Sequence, residues 1–305
     1  SEIESGSGLE LLPSIVAHQS GHLRDDGEFV NDELKTDLSL GISYDVSSEL
    51  TAEAAINPDF SQVESDIAQI DVNSTFALFY PERRPFFMEG SDLFSTLFNA
   101  VYTRQINDPL LAGKLTWRKG SNSVAFLTAL DEHSVIILPF EESDKFIENG
   151  KSYSNIVRAR RDFGEQSHIG LIATDRRFEG GGSGSLFGVD GKVRFSPNNS
   201  LVYQFLATHT EEVDNPALAD TAFNATRFDG GEYTAGLDGE SFQGYGWAAG
   251  LSRDKANYSA AASYAEASPT FRADNGYETS NNWQKLELDL QGIKRFDESR
   301  ILENI

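Results

Sequence analysis

The sequence of 305 residues contains no cysteine and a single methionine. A disulfide framework and a thiolate metal site are therefore both excluded. An exported protein that avoids stray oxidation would fit this composition, but many cytosolic proteins also lack cysteine. The absence of cysteine thus says little about the compartment.

Long apolar runs are also absent. No stretch approaches the roughly 18 to 20 residues that a membrane-spanning helix requires. The chain starts without a basic, apolar signal segment, so we expect any export signal to have been removed or to lie upstream. If the protein meets a membrane, closed β-structure is the other way to satisfy its backbone polar groups in lipid.

Basic residues are few, because 25 Lys and Arg stand against 48 Asp and Glu, which gives a formal charge of −23. Such a chain is repelled by phosphate backbones, so no nucleic-acid partner is predicted. Two interpretations of the acidic excess stay open. It is either a solvated surface, or part of it lines a lumen or binds cations.

The dominant pattern is an alternation of apolar and polar residues with turn residues about every ten positions. Phe187, Val189 and Val193 share one face of a stretch that ends at a Pro197-Asn198 turn. Comparable stretches recur near 38–56, 115–126, 155–173, 245–264 and 286–290. The pattern predicts roughly a dozen strands of about eight to twelve residues, longer than the usual five or six.

Strand length and small residues decide between two β architectures. A soluble β-sandwich also alternates, but membrane strands need about 9–11 residues. Gly244, Gly246 and Gly250 lie on the less apolar face, as a narrow lumen requires. We therefore predict an all-β fold, an antiparallel up-and-down transmembrane β-barrel. Because the last strand pattern lies close to Ile305, we expect the barrel to need further strands.

Two regions depart from the alternating pattern and divide the chain. Residues 1–35 are interpreted as a lead-in segment, and residues 36–305 as the barrel domain. Residues 57–112 show little alternation, so we predict a plug-like insertion at about this position. Residues 131–152 and 211–231 are acidic and loop-like, as expected of long extracellular connections.

The insertion carries the most specific motif of the chain. Residues 57–66 read NPDFSQVESD, residues 79–94 read FYPERRPFFMEGSDLF, and residues 102–104 read YTR. This sequence closely resembles the DUF5916 family, with weaker likenesses at 157–162, 169–176, 188–191 and 268–272. The resemblance implies an outer-membrane β-barrel of uncharacterised function, often preceded by a domain similar to family 9 carbohydrate-binding modules. Residues 1–35 are too short to hold that domain, and the family supplies no catalytic residues.

Charged residues of the insertion predict an ion-paired plug, because so polar and irregular a segment cannot face lipid. A ligand or cation site, or a catalytic site, are the alternatives. The candidate plug and lumen network consists of Asn57, Asp59, Glu64, Asp66, Glu82, Arg83, Arg84, Glu89, Asp92 and Arg104.

Catalytic and cofactor motifs give no candidate. The five histidines are scattered, and Gly180–Gly184 lacks the Lys and following helix of a phosphate loop. Acidic turns such as Asp25–Glu28 could hold Ca²⁺ but lack the spacing of an EF-hand. We therefore predict that the chain is not an enzyme and has no cofactor, and we assign no catalytic or metal residue.

These patterns lead to one preferred function and two rivals. We predict a protein of the bacterial outer membrane that acts as a channel or an assembly scaffold for an unknown substrate. Its expected partners are outer-membrane lipid and, further, polysaccharide or other outer-membrane and periplasmic proteins. The first rival is a polysaccharide-binding or polysaccharide-processing component whose active domain lies outside this chain. The second rival is a soluble all-β binding module.

Overall fold

The computed structural model describes residues 8–19, 21–23, 29–31, 33–58, 79, 81–142, 144–218 and 226–292. Nearly all regular structure in this part is β. The strands are β1 (Leu9–His18), β2 (Gly21–Leu23), β3 (Phe29–Asn31), β4 (Lys35–Ser47), β5 (Leu50–Ile56), β6 (Pro109–Lys119), β7 (Asn122–Asp131), β8 (Ser134–Pro139), β9 (Asp144–Asn149), β10 (Ser152–Phe163), β11 (Ser167–Phe178), β12 (Ser183–Ser196), β13 (Asn199–Glu211), β14 (Arg227–Phe228), β15 (Tyr233–Thr234), β16 (Ser241–Lys255), β17 (Tyr258–Ala267) and β18 (Trp283–Gly292). In the described part of the connection between β5 and β6 lie one short α-helix, α1 (Pro85–Met88), and two 3₁₀ helices, Ser91–Leu93 and Thr103–Gln105.

Twelve of the described strands form one sheet, in the order β1-β4-β5-β6-β7-β10-β11-β12-β13-β16-β17-β18. Every neighbouring pair is antiparallel, and the predicted all-β antiparallel fold is confirmed. β1 and β18 are its two edges, and in the described part of the chain they do not pair with each other. Within the described residues the sheet is therefore not closed, and the predicted transmembrane barrel is not confirmed. Among the described residues, no helix has the length and apolar character needed to cross a membrane.

The connections differ between the two ends of the sheet. At one end, which we call the short-turn rim, turns of two or three residues join β4 to β5, β6 to β7, β10 to β11, β12 to β13 and β16 to β17. The opposite end, the long-connection rim, carries the longer connections from β5 to β6, β7 to β10, β13 to β16 and β17 to β18, together with the short turn 179–182 between β11 and β12. Because each strand of the sheet is antiparallel to the next, successive connections alternate between the two rims.

Three predicted boundaries differ from the structure. Leu9–His18, in the predicted lead-in, pairs along its whole length with β4. The sequence hides this strand because it does not alternate and contains Pro13, which an edge strand tolerates. Residues 131–152, expected to be a loop, contain the β8–β9 hairpin. The insertion ends at residue 108, because β6 begins at Pro109.

The two faces of the sheet have opposite polarity. One face, which we call the open face, exposes large apolar side chains at alternate positions; Leu171 is 48% exposed and Phe187 58%. The other, the covered face, buries Lys114, Arg158 and Arg176 at 2% exposure or less. A soluble sheet normally shows the reverse, with its apolar side chains inside.

Two irregular segments cover the second face. We call residues 81–108 the inner insertion and residues 268–282 the inner strap. Phe87, Leu93 and Ile106 of the insertion pack in one cluster with Leu127 and Ile156 of the sheet. A second cluster joins the insertion and the strap to strands β11, β12 and β13 through Phe98, Phe271, Ile172, Leu186 and Leu206. The covered face is therefore packed with protein.

A substitution at Gly244 tests this packing. A Cβ at that position would lie 2.6 Å from Phe271 Cα and closer still to the Thr270 carbonyl oxygen, both backbone atoms of the strap. We expect Gly244→Ala to lower the free energy of unfolding by about 1–3 kcal/mol because the strap must move. Urea unfolding followed by tryptophan fluorescence measures the change.

Gly113→Ala is the matched control, since its nearest neighbour would be Thr128 Cγ2 at 3.5 Å, an ordinary contact. It should change stability by less than about 0.5 kcal/mol. Equal effects of the two substitutions would contradict close packing of the strap.

Candidate functional site

Buried cations of the sheet reach into the inner insertion. The insertion is irregular, so many of its carbonyl groups have no strand partner, and buried carbonyls require a hydrogen-bond donor. Lys114 on β6, Arg158 on β10 and Arg176 on β11 supply such donors. We refer to these contacts as the cation–carbonyl anchors.

Lys114 holds the first turn of the insertion. Its Nζ donates to the carbonyl oxygens of Phe86 at 2.7 Å and Glu89 at 2.8 Å. The same Nζ lies 2.7 Å from Glu53 Oε2 on β5. An ammonium has three donors, so these partners can use all of them, and the buried charge is balanced.

Arg158 holds the next part of the insertion. Its Nε donates to the Leu93 carbonyl over 2.8 Å. Nη1 and Nη2 donate to the two carboxylate oxygens of Asp190 on β12, at 2.5 and 2.6 Å. This two-point pairing fixes the guanidinium plane. Gly170 lies beneath it, where a Cβ would stand 2.6 Å from Nη1.

Arg176 connects the insertion with the strap. Nη2 donates to the Gln105 carbonyl at 2.9 Å, and Nη1 donates to the Asp274 carbonyl, also at 2.9 Å. Its carboxylate neighbour is Asp131, with 3.8 Å between Nη2 and Oδ2. One guanidinium thus joins the sheet to both irregular segments.

Arg84 connects the two ends of the insertion. Nε and Nη2 donate to the two oxygens of Glu82 at 2.8 and 2.7 Å, while Nη1 donates to the Ile106 carbonyl at 2.6 Å. Burial raises the pKa of the Glu82 carboxyl, but the hydrogen bonds and charge of Arg84 outweigh it, so this pKa lies below its ordinary value. The pair joins the beginning of the insertion to its end.

The predicted network residues have different positions in the structure. Glu82 and Arg84 pair as described, and Arg104 Nη1 donates to the Pro81 carbonyl at 3.2 Å. Glu89 contributes its carbonyl to Lys114. Asp92 forms an exposed pair with Arg118.

The other predicted residues lie outside that arrangement. The Arg83 side chain is exposed. Asn57 directly follows β5, and its backbone N–H donates to the Leu110 carbonyl at 2.9 Å while its Nδ2 donates to the Leu38 carbonyl at 2.9 Å. Asp59, Glu64 and Asp66 fall outside the described residues.

The anchoring partners on the sheet were not predicted from the sequence. The predicted network paired opposite charges within the insertion, whereas most anchoring cations lie on strands. A signal for these partners was available in the poor alternation of β10, where Arg158, Arg160 and Arg161 lie within four residues. Only Arg158 of these three is buried.

A second polar group lies at the long-connection rim. Glu212 directly follows β13, Glu240 directly precedes β16, and Asp238 lies two residues before Glu240. Oxygens of these three carboxylates lie within 4.8 Å of one another, an arrangement that could hold a metal ion. Burial raises the pKa of Glu212 to about 7, although the positive charge of Arg272 opposes the rise.

The comparison with protein families confirms one expectation. Residues 9–119 match the family described as "Domain of unknown function (DUF5916)", so the predicted resemblance is confirmed over these residues. No curated protein matches the chain.

Several solved structures are similar at low identity. OmpT, an outer membrane protein of Vibrio cholerae, is 9% identical, with 90% of this chain and 92% of that chain covered and a TM-score of 0.36. OccK8 (OprE) of Pseudomonas aeruginosa is 12% identical, with 92% and 61% covered and a TM-score of 0.38. The outer membrane channel DcaP of Acinetobacter baumannii is 10% identical, with 87% and 92% covered and a TM-score of 0.35.

One prediction from the sequence needs correction. The prediction that the chain is not an enzyme is withdrawn, because the lack of a recognised catalytic motif excludes no activity. At 9% identity and a TM-score of 0.36, the similarity to OmpT does not assign an activity to this chain.

The Arg158–Asp190 pair offers a direct test of the anchors. Arg158→Gln leaves Asp190 buried without its cation and Leu93 without its donor, so we expect a loss of about 3–5 kcal/mol in the free energy of unfolding. The double variant Arg158→Met with Asp190→Leu should recover part of this loss, because no charge stays buried. Urea unfolding measures both.

Arg177→Gln is the control on the neighbouring strand, because it breaks an exposed pair with Asp175. Its effect should stay below about 1 kcal/mol. A loss no larger for Arg158→Gln than for Arg177→Gln would contradict an anchoring role of Arg158.

Glu278 of the strap gives a pH test. Burial raises its pKa to about 7, although the Asn99 amide, which donates to Oε1 over 2.7 Å, opposes the rise. The pKa of Glu278 is therefore higher in the folded than in the unfolded state. The stability that its protonated carboxyl contributes is fully present at low pH and is lost as pH rises through about 7. Between pH 5 and pH 8, roughly the interval over which such a group ionises, the melting temperature of the wild type should therefore fall relative to Glu278→Gln.

The exposed turn residue Glu165 provides the comparison. Glu165→Gln should follow the wild-type melting profile across the same pH range. Parallel profiles for wild type and Glu278→Gln would show that ionisation of Glu278 is not coupled to folding.

Proposed function

We propose that this chain, whose residues 9–119 match the DUF5916 family, belongs to a β-barrel in the bacterial outer membrane. Its sheet would form part of the barrel wall, and the inner insertion and inner strap would fill the interior. We further propose that the barrel is a conduit whose interior is held shut by the inner insertion and the inner strap. Outer-membrane lipid would surround the open face of the sheet.

The inverted polarity of the sheet carries this proposal. Along β11, Ile169 and Leu171 are exposed, whereas Ile172, Thr174 and Arg176 on the other side are buried. An apolar surface of this extent is expected to contact lipid or another protein. Charged groups that face protein or a lumen, combined with apolar groups that face outward, are typical of outer-membrane barrels.

The dimensions of the strands agree with a membrane crossing. β10 and β11 have 12 residues each, and β13 has 13. Tilted strands of about 9–11 residues span the hydrocarbon core. In lipid, unpaired strand edges are not tolerated, so the proposal requires that β1 and β18 find strand partners in the functional assembly.

The filled interior favours a closed state over a permanently open pore. Phe98 and Phe271 pack against Leu206 and Leu186 of the sheet. An open path along this face would require the insertion or the strap to move. Such movement would break cation–carbonyl anchors, so the anchors would set the free energy of opening.

Conductance of the purified protein in planar bilayers tests the conduit. We expect small or no current from the wild type. Replacement of residues 59–107 by a short Gly-Asn linker should give large, stable current steps, because Asn57 and Leu110 are already hydrogen-bonded across the junction. The double variant Lys114→Gln with Arg158→Gln should raise the opening frequency without changing the length of the chain.

Lys119→Gln serves as the control, because Lys119 forms an exposed pair with Glu49. It should conduct as the wild type does. Every variant is first checked for detergent dependence and for heat-modifiable gel migration, which a soluble module would not show. Absence of current from both the wild type and the folded deletion variant would refute the conduit.

A further inference from the structure

We propose that Glu212, Asp238 and Glu240 form a Ca²⁺ site at the long-connection rim. Oxygens of the three carboxylates lie within 4.8 Å of one another. Because Ca²⁺–O distances are 2.3–2.6 Å, oxygens on opposite sides of one ion stand at most about 5 Å apart. The three side chains can therefore share one ion without rearrangement of the backbone.

Glu212 provides the observation that points to a ligand. Its side chain is 2% exposed, and Oε2 has no hydrogen-bond partner among the described residues. An unsatisfied buried carboxylate oxygen is unfavourable, because burial removes its hydration without compensation. A cation at this point would supply the missing partner.

Charge balance agrees with a cation. Arg272 is the basic neighbour of Glu212, with 3.6 Å between Nη1 and Oε1. The same guanidinium donates from Nε to Asp274 Oδ1 at 3.0 Å. One positive charge is thus shared between two buried carboxylates, and Asp238 and Glu240 add two more. A divalent ion would offset much of the remaining negative charge.

Thr234 orients the two other carboxylates. Its backbone N–H donates to Glu240 Oε2 at 2.6 Å, and its hydroxyl donates to Asp238 Oδ2 at 3.0 Å. These contacts hold one oxygen of each residue and leave the second for a ligand. The backbone is fixed as well, because the Glu212 N–H donates to the Glu240 carbonyl at 2.9 Å.

The donor set selects the type of ion. All three side chains offer carboxylate oxygen, which suits Ca²⁺ and Mg²⁺ rather than Zn²⁺ or copper. Carboxylates from a strand end and from a loop favour the variable coordination of Ca²⁺ over the strict octahedron of Mg²⁺. The ion would link the first and the last residues of the connection 212–240, and so fasten it to β13 and β16.

Calorimetric titration of Ca²⁺ into the full chain, in detergent and stripped with chelator, tests the site. We expect saturable binding of one Ca²⁺ per chain and weaker binding of Mg²⁺. Asp238→Asn should lower the Ca²⁺ affinity by about ten-fold or more, because affinity follows the number of charged ligands. Asp238 is exposed, so this substitution should not disturb folding.

Asp229→Asn is the matched control in the same connection. It removes the same charge from an exposed residue with φ of 49°, which asparagine tolerates. Its affinity should stay within about two-fold of the wild type, since screening limits the effect of a remote charge. An equal loss of Ca²⁺ affinity in both variants, or equal affinities for Ca²⁺ and Mg²⁺, would indicate general electrostatic attraction and overturn the proposal.

Terbium luminescence gives a second readout that needs no variant. Tyr233 adjoins Thr234, so excitation of tyrosine should sensitise bound Tb³⁺, and Ca²⁺ should quench the signal by displacement. Absence of saturable binding in both measurements would refute the site. Neither measurement depends on conductance, so its failure is distinct from failure of the proposed conduit.

Discussion

The structure depends on hydrogen bonds from buried cations of the sheet to backbone carbonyls of the segments that cover it. An irregular segment cannot satisfy its own polar groups, and a sheet face of aliphatic residues alone could not satisfy them either. Lys114, Arg158 and Arg176 resolve this conflict, since each donates to carbonyls of residues 81–108 or 268–282. Their carboxylate partners Glu53, Asp190 and Asp131 keep the buried charge balanced.

This arrangement also explains why the two faces of the sheet have different compositions. The covered face needs charged and small residues, because it must bind backbone and let the strap approach closely at Gly244. The open face carries apolar side chains such as Phe187 and Leu171 at alternate positions. Alternation along each strand thus separates two environments across the thickness of one sheet.

The sequence predicted the strands well and the site only in part. Alternation is a local property, so pairs such as β12 and β13 could be located from Phe187 to Ala207 with their turn at Pro197. β1 was missed because Pro13 and the adjacent apolar pairs Leu11-Leu12 and Ile15-Val16 conceal the alternation. Glu82 and Arg84 are two residues apart and both belong to the predicted network, whereas Arg158 and Asp190, which are 32 residues apart, do not. Such contacts depend on strand register, which charge patterns do not encode.

The difference between the two rims has a consequence for folding. Five hairpins close through turns of two or three residues at one rim, so most strand pairing is local in sequence. Local pairing forms quickly, because little chain entropy is lost in closing each loop. Contacts such as Tyr277 N–H to the Asn99 carbonyl join residues far apart and can form only after the sheet is in place. The sheet is therefore expected to assemble hairpin by hairpin, with its covered face filled as the last and slowest step.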